Sequence, residues 1–447
     1  MGADIFGKLH EECGVFGIYL REPSEDVVGI THHALYALQH RGQESCGIAV
    51  NDDGVITGHA DTGLVSEVFT EDVLRKLPRG SLAIAHCRYG TTGCQSRENA
   101  QPLVIRHIKG GMALAHNGNL TNAAELRESF ELDGAIFRTT SDSEVIAYAI
   151  TRERIGAGSI EEAVSRAMGK VKGAYSLAVM SPRKLIAVRD PIGFRPLCIG
   201  EIKGGWVIAS ESCALDAIGA KFLRDVEPGE IVTISEKGLE SDRSHCGRAT
   251  GECVFEFIYF ARPDSGLDAA LGYARQSGIP YGVGFVKSKY IGRTFIQPGQ
   301  ARREDAVRIK LNTIASTVRG KRVILVDDSI VRGTTIARIV GLLREAGATE
   351  VHARLSAPPF LYPCYFGTDI DSSDYLIAYN HSLEEIREII GVDSLGYLNV
   401  DYLDKLADNS TIGFCKGCFT GEYPCDPPCR AQKSKFEQKI GRKEGSE

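Results

Sequence analysis

The chain has 447 residues, a formal net charge of −6, 43% hydrophobic and 25% charged residues. That length and balance predict two or three packed domains, and the acidic total gives no footprint for nucleic acid. No apolar run of about 18 residues is present, so no membrane-spanning helix is expected. With no basic-then-apolar leader either, a cytoplasmic protein is expected.

Near the start, His10-Glu11-Glu12-Cys13-Gly14-Val15-Phe16-Gly17 places a cysteine between two acids and a glycine-punctuated apolar strand. The expectation is that residues 1–12 are removed as a propeptide. Cys13 then carries both a thiol and a free α-amine, a nucleophile with its own base. Residues 14–20 read as a strand and 31–39 as a helix, ended by His40-Arg41-Gly42-Gln43-Glu44. Residues 81–89 and 112–120 alternate apolar with small or polar residues. Ser141 and Glu144 stand at capping-box spacing before a helix running to Arg154. Residues 174–180, 184–189, 206–210 and 230–234 read as short strands. Together these elements predict stacked antiparallel sheets flanked by helices.

Three polar clusters follow apolar segments in this half: His40-Arg41-Gly42-Gln43, His86-Cys87-Arg88-Tyr89-Gly90-Thr91 and His116-Asn117-Gly118-Asn119. Each alone reads as a turn, and Asn-Gly is a strong hairpin signal. Behind Cys13, the three together read as one site.

From about residue 246 the pattern changes to alternating strand and helix. In Arg322-Val323-Ile324-Leu325-Val326-Asp327-Asp328, four consecutive apolar residues predict a strand buried on both faces of a parallel sheet. Ser329-Ile330-Val331-Arg332-Gly333-Thr334-Thr335 leads into a helix over 335–346, and a strand over 351–355 completes a βαβ unit. Ligands of such sheets bind beyond the carboxyl ends of the strands. Amides and hydroxyls at a helix N-terminus suit a phosphate, and the two acids suit ribose hydroxyls or Mg²⁺. Upstream, Arg302, Arg303, Arg308 and Lys310 suit a pyrophosphate, or equally a solvated helix face.

Thirteen cysteines without an export signal read as thiols, metal ligands and core residues rather than disulfides. Four crowd the end: Cys415, Cys418, Cys425 and Cys429. A CxxC pair points to metal or redox chemistry, and these four alone suit tetrahedral Zn²⁺. From Ala431 the sequence is polar and basic and reads as a tail.

On these motifs, residues 13–245 resemble the glutamine amidotransferase domain of the N-terminal-nucleophile class. The 322–335 pattern resembles the type I phosphoribosyltransferases. The whole chain is similar to the amidophosphoribosyltransferase family. The resemblance implies a mixed α+β and α/β fold: an αββα four-layer sandwich, then a parallel-sheet domain over 246–411 and a cysteine-rich segment over 412–447. It implies that Cys13 attacks glutamine, with the Asn117 side chain and the Gly118 N–H as oxyanion donors. Arg88 would clamp the glutamine α-carboxylate, with Thr91 beside it and Asp142 on the α-ammonium group. Asp327, Asp328, Ser329, Val331, Arg332, Gly333, Thr334 and Thr335 would hold phosphoribosyl pyrophosphate. Arg293 lies in Lys289-Tyr290-Ile291-Gly292-Arg293-Thr294, which resembles the family's water-excluding loop. Ser265, Asp327 and Asp328 would flank Mg²⁺. Cys253, Cys364, Cys415 and Cys418 would bind a [4Fe–4S] cluster. The implied reaction makes 5-phosphoribosylamine, the first step of purine synthesis, with purine nucleotides as feedback inhibitors and a homo-oligomer (dimer or tetramer) as the assembly.

The resemblance breaks at Tyr259-Phe260-Ala261-Arg262-Pro263-Asp264-Ser265-Gly266. Here two Pro-Asp-Ser runs, separated in the family by a helix and a strand, are merged into one. The expectation is a parallel-sheet domain shortened near 262–278. The alternative functions are then a glutaminase alone, or a non-catalytic nucleotide-binding relative.

Overall fold

The computed structural model describes residues 13–24, 26–89, 96–248, 251–260, 268–287, 311–368, 370, 372–406 and 412–428. Residues 1–12 and Thr91, Ser265, Arg293, Arg302, Arg303, Arg308, Lys310 and Cys429 lie outside them.

The strands, numbered in chain order, begin with β1 (Gly14–Ser24), β2 (Ser45–Asp52), β3 (Val55–Thr62), β4 (Gly80–Arg88), β5 (Leu103–His107) and β6 (Gly110–Leu120). After three helices come β7 (Gly173–Met180), β8 (Leu185–Arg189), β9 (Cys198–Ile202), β10 (Gly205–Ala209), β11 (Lys221–Asp225), β12 (Ile231–Ser235) and β13 (Gly238–Asp242). They form two antiparallel sheets, ordered β11-β9-β10-β1-β4-β2-β3 and β13-β12-β8-β7-β6-β5. Successive residues of a strand face opposite ways, and here both faces are covered. Val15 and Tyr19 of β1 point between the sheets, against Ala113, Ala115 and Leu185 of the other. Phe16 and Ile18 point outward, against Leu35 of helix Val27–Ala37 and Leu215 of helix Ser212–Ala217. Leu114 and Leu177 pack outward against helices Asp142–Gly156 and Ile160–Met168. Two-sided burial explains why these strands read as nearly continuous apolar runs; β7 is buried at every position. The result is the αββα sandwich that the resemblance implies.

Two local expectations fail here. Asn117-Gly118 is not a hairpin turn but lies inside β6, paired with β7 through Asn117↔Ser176 and Gly118↔Tyr175; sheet pairing overrides the local turn preference. The Ser141/Glu144 capping box is not formed. Ser141 does cap the helix, accepting from the Ser143 N–H, but Glu144 reaches past it to the N–H groups of Arg138 and Thr139.

Downstream, β14 (Glu252–Cys253) precedes an antiparallel pair, β15 (Phe285–Lys287) and β16 (Leu311–Thr313). A parallel sheet follows, with β17 (Arg322–Asp327), β18 (Glu350–Leu355) and β19 (Ser394–Gly396) in that order. Helix Thr334–Glu345 crosses from β17 to β18 and buries Ile336, Val340 and Leu343 against Val351 and Ala353. β20 (Phe414–Cys415) returns to pair in parallel with β14. The expectation that β17 is buried on both faces is wrong: Val323 to Val326 are only half-buried. Among the described residues β17 pairs with β18 alone, so it forms the edge of the sheet. Central β18 buries Val351, Ala353 and Leu355. No described helix is long and apolar enough to cross a membrane.

Candidate active site

Cys13 immediately precedes β1, where Gly14 pairs with Cys87 of β4. This register brings the Cys13 thiol to the end of β4, where it donates to the Tyr89 carbonyl at 3.3 Å. The Cys13 carbonyl accepts from Arg41 Nε at 3.1 Å. Arg41 was singled out in the sequence without a role. Its turn can lie against β4 because residue 42 is glycine: a Cβ there would stand 2.7 Å from the Cys87 and Arg88 carbonyl carbons. Arg88, the last residue of β4, is buried, with Nη1 3.4 Å from Glu44.

The other sheet presents Asn117 and Gly118. The Asn117 side chain is fully buried, and neither its nitrogen nor its oxygen has a hydrogen-bond partner among the described residues. An unsatisfied buried polar group costs about 1–3 kcal/mol, which a ligand that completes its bonding offsets. Gly118 has φ +141°, and a Cβ there would fall 2.1 Å from the Ala174 carbonyl oxygen, so only glycine fits. Asp142 opens its helix, where a carboxylate is favoured by the helix dipole. It is buried and accepts from the Leu120 N–H at 2.9 Å.

One histidine links the two sheets. The His86 ring donates from Nε2 to the His116 carbonyl at 2.9 Å. Burial pushes the His86 pKa down to about 3 and lowers that of His116 as well. Both rings are therefore neutral at ordinary pH; the His86 ring connects the sheets, and the His116 ring bonds Ser143 and the Ala174 carbonyl on its own side.

At the second centre, a pocket is lined by Asp327, Asp328, Ser329, Val331, Gly333 and Thr335. Ser329 Oγ donates to Asp328 at 2.5 Å, and the Asp328 N–H donates to Asp327 at 3.1 Å. Arg332 and Thr334 are not part of this lining; Arg332 stacks on the Tyr375 ring, its guanidinium carbon 4.8 Å from the centroid. Tyr259, which no sequence pattern marked as a site residue, closes the pocket. The loop ends at Gly333, the N-cap of helix Thr334–Glu345, so the helix N-terminus faces the place a phosphate would take.

Cys253, Cys364, Cys415 and Cys418 line one apolar cavity with Phe194, Phe255, Phe360 and Phe366. Parallel pairing of β14 with β20 sets Cys253 opposite Cys415. Burial pushes the Cys415 thiol up to about 12 and those of Cys253 and Cys418 well above their usual value; the neighbouring cysteines reinforce each shift. Such thiols ionise only when a metal supplies the compensating charge. No three of these four sulfurs lie within 4.8 Å of one another. Among the described residues, only His40, Glu211 and Cys213 bring three ligand-type atoms that close. Arg41 already lies 3.2 Å from Glu211, which disfavours a cation there.

Residues 86–217 match the glutamine amidotransferase domain family. The chain is 45% identical to the amidophosphoribosyltransferase of Bacillus subtilis over 466 aligned positions, covering 95% of this chain and 96% of the relative. It is 42% identical to that of Methanocaldococcus jannaschii over 480 positions, covering 96% of this chain and 100% of the relative. The solved glutamine phosphoribosylpyrophosphate amidotransferase of B. subtilis, complexed with ADP and GMP, is similar with a TM-score of 0.84 and 44% identity, covering 93% of this chain and 98% of that one. A structure described as the allosteric regulatory enzyme of purine biosynthesis is similar with a TM-score of 0.86 and 42% identity, covering 96% and 99%. Fold and sites thus define a glutamine amidotransferase of the N-terminal-nucleophile class joined to a phosphoribosyltransferase-type domain. The aligned spans exceed this chain's 447 residues, so both relatives carry internal residues that it lacks. The chain belongs to the amidophosphoribosyltransferase family, enzymes of purine biosynthesis.

Proposed function

We propose that glutamine is hydrolysed at Cys13 and that its ammonia displaces pyrophosphate from phosphoribosyl pyrophosphate, giving 5-phosphoribosylamine. The observation that carries the first half is the buried Asn117 amide, which has no partner among the described residues, on the sheet facing Cys13. Asn117 and the Gly118 N–H would stabilise the oxyanion formed by thiolate attack. Arg88 and Asp142 would take the glutamine α-carboxylate and α-ammonium, and Thr91 would extend that clamp. In the second half, the 329–335 loop would hold the phosphate, and Asp327 and Asp328, with Ser265, would hold Mg²⁺. The metal would neutralise the leaving pyrophosphate. Arg293 would lie on the loop that keeps water out.

The cysteine quartet favours a [4Fe–4S] cluster in a structural role, tying the 412–428 segment to the rest. Tetrahedral zinc with Zn–S bonds of about 2.3 Å would draw its thiolates to about 3.8 Å apart. Neither the quartet nor Cys415, Cys418 and Cys425 converge that tightly. Purine nucleotides as regulators and a homo-oligomer complete the reading. The ADP and GMP named with the B. subtilis relative support the former.

The test is pyrophosphate release by the full chain from glutamine and phosphoribosyl pyrophosphate, with glutamate measured in parallel. Both products are expected. Glutamate alone would support a second reading, a glutaminase without synthase activity. The half-buried β17, at the sheet edge among the described residues, favours that reading, because the acids of the second centre stand at the end of this strand.

A further inference from the structure

Three charged side chains meet where the two-sheet half joins the rest. Arg41 and Arg195 come from the sandwich; Glu256 comes from the turn that leads out of it. Their side chains are 0%, 1% and 4% exposed. Arg41 Nη2 donates to both Glu256 carboxylate oxygens at 2.9 Å, and Arg195 Nη1 donates to Oε1 at 3.1 Å. Arg41 Nη1 reaches Glu211 at 3.2 Å, and its Nε reaches the Cys13 carbonyl at 3.1 Å. One guanidinium thus touches both the backbone of the nucleophile and a carboxylate from beyond the last strand of the sandwich.

Stability is a weak reason for such an arrangement, because removing these charges from water offsets most of what their pairing returns. Geometry is a better one. With Nη2 on Glu256, Nη1 on Glu211 and Nε on the Cys13 carbonyl, all three nitrogens of the guanidinium are anchored, which fixes its plane, and the plane of Arg41 sets the direction of its Nε–H bond to Cys13.

We propose that Glu256 is a positioning residue of the glutaminase centre. It orients Arg41, which holds the Cys13 main chain, and thus the thiol and α-amine, in the attacking arrangement. The centre built by residues 13–242 is then completed by a carboxylate from outside the sandwich. The inference rests on Cys13 being the nucleophile. The side chains of the glutamine clamp have their own partners, Arg88 with Glu44 and Asp142 with the Leu120 N–H, so the effect falls on turnover and not on substrate affinity.

In the full chain, Glu256→Gln keeps the shape but turns an amide towards one of the two arginines. Glutamate release should fall about 10- to 100-fold in kcat, the range in which displacements near 1 Å act. KM for glutamine should stay within about twofold, the pattern of a group that acts after binding. Glu256→Asp, which keeps the charge, should recover part of the loss. A kcat within twofold of the parent overturns the proposal. So does a loss shared by KM and kcat, or an Asp variant no better than Gln, since a merely structural role would give those patterns. If Glu256→Gln does not fold, Arg195→Lys and Glu256→Asp carry the same test: each should lower kcat at constant KM, and unchanged kcat in both overturns it. Failure of the underlying reading looks different: Cys13→Ala would then retain glutamate release in the parent background.

Discussion

At the scale of single residues, the proposed site divides into side chains that would touch glutamine and those that hold them. Cys13→Ala should abolish glutamine-dependent product and leave ammonia-dependent product intact; loss of both in a folded variant would contradict two separate centres. Asn117→Ala should cost about 10²–10³-fold in the kcat of glutamate release, the usual value of one oxyanion donor. A loss below tenfold would leave the amide without that role. His86 gives a pH prediction. Its pKa is about 3 in the fold against about 6.5 unfolded, so between those values the unfolded chain binds the extra proton. Stability conferred by the neutral ring is therefore present above pH 6.5 and lost as pH falls towards 3, by up to about 1.4 kcal/mol per pH unit. Asp190, raised to about 6 by burial, acts in the opposite sense as pH rises from 3.8. Comparing the parent with His86→Gln isolates the histidine: their difference in urea stability should shrink from pH 7 to pH 5, and a constant difference would count against it. Cys13 stood out through its own surroundings, whereas the roles of Arg88, Asn117 and Asp142 came only with the family resemblance, because each alone reads as a strand end, a turn or a helix start. Arg41 was visible but mute: its partner Glu256 lies 215 positions away, and no local pattern encodes that meeting.

At the scale of elements, the sandwich strands were legible and their caps and turns less so. Continuous apolar runs signal two-sided burial, and both sheets deliver it. Asn117-Gly118 misled because a turn preference of this size yields to eight paired residues of β6 and β7. The apolar run of β17 misled in the opposite direction. It reads as a central strand, yet its outer side has no strand beside it among the described residues, as a shortened domain would leave it. The two cases predict different costs. Ile186→Ala, in fully buried β8, should destabilise by about 2–5 kcal/mol. Ile324→Ala, in half-buried β17, should cost roughly half as much, because only part of its surface leaves water. Equal costs in urea titrations would place β17 in a covered core after all.

At the scale of the whole molecule, the described residues form one apolar core between the two sheets, one outside each, a smaller core around β18, and two further clusters centred on Phe255 and Phe194. The single tryptophan, Trp206, sits in β10 of the sandwich and reports on that half alone. The parallel sheet is smaller, with β17 at its edge among the described residues, so ammonia-dependent activity should vanish at lower urea than the Trp206 fluorescence transition. Coincident transitions would mean that the halves unfold as one. The cysteine quartet gives a second test at this scale: Cys415→Ala, which leaves no atom to replace the thiolate, should remove bound iron and its visible absorbance. Retention of iron would exclude Cys415 as a ligand. The two-centre architecture was legible from the order of its motifs. The seam between the halves was not, because it is made of contacts such as Asn119 with the Tyr365 carbonyl, 246 positions apart.

The pairing of β14 with β20 has a bearing on how the protein is made. Cys253 leaves the ribosome long before Cys415, by on the order of ten to thirty seconds at ordinary elongation rates. Throughout that interval the sandwich can close, because all its strands have emerged. The strand at its exit and the first of the four cysteines stay without their partners. Folding of the seam is thereby deferred to the last stage of synthesis. A chain interrupted anywhere between β14 and β20 therefore carries all the strands of the sandwich but leaves β14 and Cys253 without the partners that β20 brings.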